Sequence, residues 1–373
     1  MKVAVQRNPN FLHFECIRCS AKYEFGDHVE GCPKCLAEGY PVNLYGRYGH
    51  GDPQAGPARC QLPYVSGISL GEGATPLIRF EPRAGSAVHL KLEGMNPTGS
   101  HKDRMAAQLM NRAIESDANE IVAASTGNAG VAIAAYAARA GIRCEIAITG
   151  SCNRIFRLAM ERCGATLTQF PDSLSRWPYA EQRVKRDGAM SGTNYLLPPV
   201  GSPPIGVEGY KAIAHEILED LGAAPDVVFV PASRGDLLWG IHAGFAELAE
   251  RGVSEQVPRL IAVEPFPRLA LVLEGADYRG SFEGSTRQLS TGGTTVTFQA
   301  YEALRRSEGL AIAVPDGEAE DAHAELARGG IYAELSSASV LSAYCRALER
   351  GLIRATDVAV LIVTSVGFKD EAV

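Results

Sequence analysis

Apolar residues in this chain gather in short runs closed by polar turns, and most runs are followed by a segment of helical spacing. The runs at 88–92, 121–124, 144–148, 166–170, 227–231, 260–263 and 358–363 read as strands. Helical patterns begin near Lys102, after Asn128, over 154–163, from Val207 through Leu218, after Gly240 through Glu250, and near Phe298. Strands alternating with helices predict an α/β protein with a mainly parallel sheet. Residues 46–73 are rich in Gly and Pro without periodicity and read as a connector laid over a larger body. A first module then covers 11–45, a large α/β domain takes 46–100 and 193–373, and a small α/β domain takes 101–192.

Length and composition narrow the class. A chain of 373 residues with 46% hydrophobic residues can fill two or three cores. A net charge of −7 argues against a general binder of nucleic acid or anionic membrane. No apolar run reaches membrane-spanning length, and the first residues lack a signal-peptide core. Nine cysteines, an odd number, suit a reducing compartment better than a disulfide framework, so a cytoplasmic protein is expected.

Four of those cysteines carry chemistry. Cys16-Ile-Arg-Cys19 and Cys32-Pro-Lys-Cys35 are two knuckles twelve residues apart, the spacing that brings four thiolates into the tetrahedron of structural zinc. Three basic residues (Arg18, Lys22, Lys34) face five acids (Glu15, Glu24, Asp27, Glu30, Glu38) across 11–40, the wrong balance for gripping phosphates. This zinc ribbon reads as a folding clip.

A second signal runs from Asn96 to Arg104. Asn96-Pro97 and Gly99 are turn residues, and Ser100 is a good N-cap before the helical pattern at Lys102. The Lys102 amine then lies in the first turn, where the positive end of the helix dipole disfavours an ammonium and favours a nucleophile able to condense with an aldehyde. Further along, Ser125-Thr126-Gly127-Asn128 joins a strand to an alanine-rich helix whose free first amides suit a carboxylate or phosphate. The strand at 227–231 runs into Ala232-Ser233-Arg234-Gly235-Asp236-Leu237, and the strand at 358–363 ends in Thr364-Ser365-Val366-Gly367.

These ordered segments, with Gly71-Glu-Gly-Ala-Thr75-Pro76-Leu77 ahead of them, resemble threonine synthase and its relatives, the fold-type II pyridoxal-phosphate enzymes. The resemblance runs from the ribbon to Asp370 and implies a two-domain, tryptophan synthase beta-like architecture with an N-terminal ribbon. It implies pyridoxal 5'-phosphate and structural zinc as cofactors, with Lys102 as covalent anchor and proton shuttle. By the same resemblance Asn128 meets the cofactor's ring hydroxyl and Thr364 its pyridine nitrogen. Ser233, Arg234, Gly235, Asp236 and Leu237 form the phosphate loop, while Ser100, Ser125, Thr126 and Gly127 bind substrate. Two departures stand out. Ser233, Arg234 and Asp236 replace small residues of the family's phosphate loop, and the Asp236 carboxylate is expected to turn away from a bound dianion. Ser365 and Val366 stand where threonine synthases carry glycine and histidine, which opens the choice of substrate.

The implied reaction is that of a lyase acting on an amino acid with a β or γ leaving group, first of all O-phosphohomoserine to threonine plus phosphate. Alternatives on the same scaffold are β-replacement of the cysteine or cysteate synthase type and deamination of a hydroxy or diamino acid. A non-catalytic scaffold is the alternative of another class. His101, Arg104 and Arg154 are candidates for a substrate phosphate. The expected partner is a small amino acid, with neither nucleic acid nor membrane, and the resemblance implies a homodimer.

Overall fold

The computed structural model describes residues 3–49 and 60–370; part of the 46–73 connector, residues 50–59, lies outside them. The described chain forms two compact units. The first holds the residues before 50, Gln61–Glu72 and Lys102–Tyr210; the second holds Cys60, Gly73–His101 and the residues from Lys211 on. The first unit therefore extends to Tyr210, past the 192 boundary read from sequence. The reason is local: residues after the short strand Met190–Ser191 pack back on the ribbon strand Leu44–Tyr48 and on the Lys102 helix.

In the first unit, a three-stranded antiparallel sheet (Lys22–Tyr23, Phe11–Cys16, Leu44–Tyr48) carries the cysteine knuckles together with helix α1 (Pro33–Ala37). A four-stranded parallel sheet runs in the order Thr166–Phe170, Arg143–Thr149, Glu120–Ala124, Met190–Ser191. Its helices are α2 (Lys102–Glu115), α3 (Asn128–Ala140), α4 (Arg154–Arg162) and α5 (Arg176–Lys185). The apolar stripe of α2 packs on α3, whose alanines permit the close approach.

The helix expected from Val207 through Leu218 is broken. Pro204–Glu208 forms a short α6 in the first unit, and α7 (Lys211–Leu221) begins the second. Between them Gly209 lies against α2, where a Cβ would meet the Arg104 carbonyl oxygen at 2.2 Å. The backbone must come this close to α2, and only glycine allows it.

The second unit is a six-stranded sheet in the order Leu310–Ala313, Arg259–Glu264, Val227–Pro231, Ala359–Val363, Val88–Leu92, Leu77–Phe80. All neighbours are parallel except the last pair. The two central strands, Val227–Pro231 and Ala359–Val363, are buried at every position, as strands covered on both faces must be. Helices α8 (Asp236–Glu250), α9 (Leu269–Leu273), α10 (Phe298–Arg306), α11 (Asp316–Arg328) and α12 (Leu335–Glu349) complete the unit. Val88, Leu90, Phe229, Ile261, Leu361 and Tyr344 anchor its core. No helix among the described residues is long and apolar enough to cross a membrane.

Candidate active site and metal centre

Three adjacent parallel strands of the second unit, Val227–Pro231, Ala359–Val363 and Val88–Leu92, end on the same side of the sheet. Ligands of open α/β sheets gather outside such carboxyl ends. The loops that leave there are 232–235, 364–366 and 93–101, which hold most of the residues singled out from sequence in this unit. The third and first loops are tied to the second and to their surroundings by named bonds.

His101 donates its backbone N–H to the Thr364 carbonyl at 3.0 Å, and Val366 N donates to the Gly99 carbonyl at 3.1 Å. Ser365 Oγ also donates to the Gly99 carbonyl, at 3.1 Å. Ser100 is fully buried and bridges Ser365 through its backbone. Helix α2 starts at Lys102, so the capping position falls on His101 and Ser100 lies one residue upstream of it. Thr364 Oγ1 shares a hydrogen bond of 2.6 Å with Ser337 Oγ on α12, which also accepts the Ser365 N–H at 3.0 Å. Sequence reading passed over Ser337; the double serine opening α12 is the trace it leaves.

The 232–236 loop is braced from behind. Arg268, fully buried, donates Nη2 to the Ala232 carbonyl at 2.7 Å and Nη1 to the Gly293 carbonyl. Its carboxylate partner Glu264 lies 3.4 Å away and accepts the N–H groups of Arg268, Leu269 and Ala270. Thr297 Oγ1 donates to the Arg234 carbonyl at 2.6 Å. Asp236 Oδ1 accepts from Gln299 Nε2, so the acid of this loop is engaged by a neutral donor on α10. Burial pushes the Arg234 guanidinium down in pKa, and Asp236 opposes it. Gly235 has φ +95°, and a Cβ there would meet Ala300 Cβ at 2.1 Å. Gly235 stands at the N-cap of α8 and has no side chain with which to cap it. The first turn of α8, the Ser233 hydroxyl and the Arg234 guanidinium are groups of the kind that a phosphate dianion recruits.

In the first unit, Lys102 is the opening residue of α2 and its Nζ donates to Tyr210 Oη at 3.1 Å. Tyr210 is fully buried, so its hydroxyl is held in place. Tyr210 carries no mark in the sequence beyond standing between Gly209 and Lys211. Three other lysines are engaged elsewhere: Lys185 with Glu30 and Glu181 at 2.7 and 2.8 Å, Lys211 with Glu247 at 2.9 Å, Lys369 with the Thr98 carbonyl at 2.9 Å. Ser125, Thr126, Gly127 and Asn128 lead from the end of Glu120–Ala124 into α3, again at a strand's carboxyl end. Ser125 Oγ accepts the N–H groups of Gly127 and Gly130, at 3.4 and 3.0 Å, which fixes the turn. Asn128 is buried. Arg154 is exposed at the start of α4, and Arg104 is buried in α2.

The ribbon brings its four cysteines together. All four sulfurs lie within 4.8 Å of one another, with Cys16–Cys35 at 3.6 Å and Cys19–Cys32 at 3.7 Å. A zinc–sulfur bond of about 2.3 Å in a tetrahedron requires sulfur–sulfur edges of about 3.8 Å, and these distances match it. Cys32 caps α1 by accepting the Cys35 N–H at 3.4 Å, and Arg18 Nη1 lies 3.6 Å from Cys35 Sγ. The donor set fits a zinc ion. His13 and His28 are not part of the cluster.

With this geometry in hand, the chain can be compared with known proteins. The family profile described as pyridoxal-phosphate dependent enzyme matches residues 68–365. Threonine synthase of Mycobacterium tuberculosis is 32% identical over 313 residues, covering 81% of this chain and 84% of the relative. Threonine synthase of Methanosarcina acetivorans is 27% identical, and that match covers 96% of this chain and 92% of the relative. Among solved structures, O-ureido-L-serine synthase superposes with a TM-score of 0.66 at 21% identity, covering 80% of this chain and 90% of the other. That likeness speaks to the fold.

Proposed function

The chain belongs to the pyridoxal-phosphate dependent enzymes and is a lyase similar to threonine synthase, and on that premise we propose that it releases phosphate from O-phosphohomoserine and adds water to give threonine. The observation that supports this reading is the meeting of three loops at the carboxyl ends of adjacent strands, the last of which delivers the chain directly to Lys102. In this reading Lys102 anchors the cofactor covalently. Ser233 to Leu237 hold its phosphate, Thr364 faces its ring nitrogen and Asn128 its ring hydroxyl. Bound there, pyridoxal phosphate would accept the electron pair left when the substrate's α-proton is removed.

The protein's own groups do the rest. Lys102 Nζ takes and returns the α-proton, and the buried Tyr210 hydroxyl holds that nitrogen in position. Ser337 fixes the Thr364 hydroxyl, a neutral partner that leaves the ring nitrogen unprotonated. Ser125, Thr126 and Gly127, with Ser100, bind and orient the amino acid's carboxylate. Arg268 and Thr297 hold the phosphate loop through the carbonyls of Ala232 and Arg234, so that its N–H groups remain directed at the ligand.

A second reading is favoured by Ser365 and Val366, which stand in place of the family's glycine and histidine. Ser365 spends its hydroxyl on the Gly99 carbonyl, so the wall beside Thr364 differs from that of the relatives as the resemblance implies it. β-Replacement or deamination would then be the reaction. A turnover screen decides: O-phosphohomoserine, O-phosphoserine, serine, threonine and 2,3-diaminopropionate are supplied in turn, and released phosphate or ammonia is followed. Phosphate release from O-phosphohomoserine ahead of all others is expected. Ammonia release from serine, threonine or diaminopropionate, or phosphate release from O-phosphoserine, as the faster reaction selects the second reading, and no turnover of any of them, with a thiol or sulfite also supplied as nucleophile, removes both.

The four ribbon cysteines are proposed to hold one structural zinc, supported by their sulfur–sulfur distances. A cytoplasmic homodimer completes the reading. None of the nine cysteines is joined in a disulfide, which suits a reducing compartment, and sedimentation equilibrium tests the dimer.

A further inference from the structure

A second group of reactive side chains lies in the second unit and takes no part in the proposed chemistry. Cys60, His215 and Glu247 each direct a donor atom to one point, all within 4.8 Å of one another. His215 is buried on α7, and Glu247 stands across from it on α8. The two helices pack closely because Gly244 lies between them, where a Cβ would meet the Lys211 carbonyl oxygen at 2.6 Å. His215 Nε2 lies 3.3 Å from Glu247 Oε1, and a nitrogen of the same ring lies within 4.8 Å of the Cys60 sulfur. Cys60 itself is only half-buried, unlike the buried His215.

A thiol beside an imidazole that a carboxylate in turn attends is the setting of an activated cysteine. Burial works against a charge on His215, but Cys60 and Glu247 outweigh it and raise its pKa to about 10. Glu247 is also held by Lys211 Nζ at 2.9 Å and by Arg251 Nη1 at 3.5 Å. Two cations on one carboxylate leave little negative charge for a divalent metal, so the same trio is poorly suited to a metal ion. They leave Glu247 well suited to orienting an imidazole.

We propose that Cys60 is the nucleophile of a thiol-modification site that takes low-molecular-weight disulfides. The Cys60 thiolate attacks one sulfur of the disulfide; a new sulfur–sulfur bond forms to Cys60 as the ligand's own breaks. The departing sulfur leaves as a thiolate and takes the proton held on His215, so one disulfide is consumed, one mixed disulfide forms, and one thiol is released. Glu247 keeps His215 facing the sulfur throughout. The other cysteines outside the ribbon lack this arrangement: burial pushes Cys144 up to about 12 and Cys345 up to about 11, and it raises Cys163 as well.

The test uses the zinc-loaded holoenzyme and oxidised glutathione, with the modified residues identified by peptide mass. Cys60 should be labelled at least ~10-fold faster than Cys163 or Cys345. In His215→Asn that rate should fall by a similar factor, while Cys163 and Cys345 react as before. Label arriving first at Cys163 or Cys345 in the native protein overturns the proposal without recourse to any variant. So does an unchanged Cys60 rate in His215→Asn. Binding of a second zinc per chain that blocks the Cys60 label would show a metal site in its place, and would equally overturn it.

Discussion

Lys102 is the residue on which the proposed chemistry turns, and its removal separates anchor from scaffold. Lys102→Ala should lose about three or more powers of ten in turnover, since nucleophile and base vanish together. Tyr210→Phe should cost less, roughly 10- to 100-fold, because only the hydroxyl that holds Nζ is removed. Steady-state kinetics on the preferred substrate measures both, and borohydride reduction with peptide mapping locates the labelled lysine. Label on Lys211 would remove the assignment. Glu247 offers a second test at this scale. Burial would raise its carboxyl, yet Lys211 and His215 outweigh that and hold it at about 2, below the ordinary 4.5. A depressed carboxyl contributes stability that is fully present above about 4.5 and is lost as pH falls toward 2, here roughly 3 kcal/mol. Urea unfolding of the wild type and Glu247→Gln should therefore show a gap at pH 6 that narrows at pH 3; an equal gap at both values contradicts the linkage. Residue identities such as Lys102, Asn128 and the four ribbon cysteines were readable as candidates because their local turns and spacings mark them. Tyr210, Ser337, Gln299 and Arg268 were not, because each acts on a segment tens to hundreds of positions away.

At the scale of elements, local pattern carries well. The strand at 88–92 and the helix start at Lys102 come out where the apolar spacing puts them. The helix expected over 207–218 is instead two, divided at Gly209 and Tyr210, and the contact of Gly209 with the Arg104 carbonyl there is one that no local pattern contains. The loop before α8 makes a sharper prediction. Gly235→Ala must place a methyl 2.1 Å from Ala300 Cβ at a positive φ, so it should destabilise the protein by roughly 1–3 kcal/mol and weaken cofactor binding together. Thermal melting with a cofactor titration reads both, and a stable variant with weak cofactor binding would show that the loop's shape is not set by this contact. The ribbon predicts the converse separation. Stripping zinc with a strong chelator should free the strands Phe11–Cys16 and Leu44–Tyr48 to exchange amide hydrogens while the six-stranded sheet stays protected. Exchange measured by mass spectrometry checks it, and uniform loss of protection would mean the ribbon is no separate clip.

For the whole molecule, alternation of strand and helix was enough to give a parallel α/β protein, but strand order was not. Val88–Leu92, early in the chain, pairs with Ala359–Val363 near its end, and nothing in either segment names the other. The boundary at Tyr210 in place of 192 has the same origin, since residues 193–210 are claimed by contacts with α2 and the ribbon. One bond described above acquires a further meaning here. Lys102 and Tyr210 are the first and last residues of one continuous segment of the first unit, and they are 108 positions apart. Bringing such ends together costs roughly 4 kcal/mol of chain entropy before any contact repays it. Contacts of that separation form late, after local helices and neighbouring strands. On refolding from urea, helical signal should return first and the capacity to take up cofactor should lag behind it, with Tyr210→Phe lengthening the lag. Simultaneous recovery would mean that the two ends meet early. The amine that the chemistry needs is thus assembled by the closing of a long loop, and a chain caught before that step would be largely folded yet unable to react.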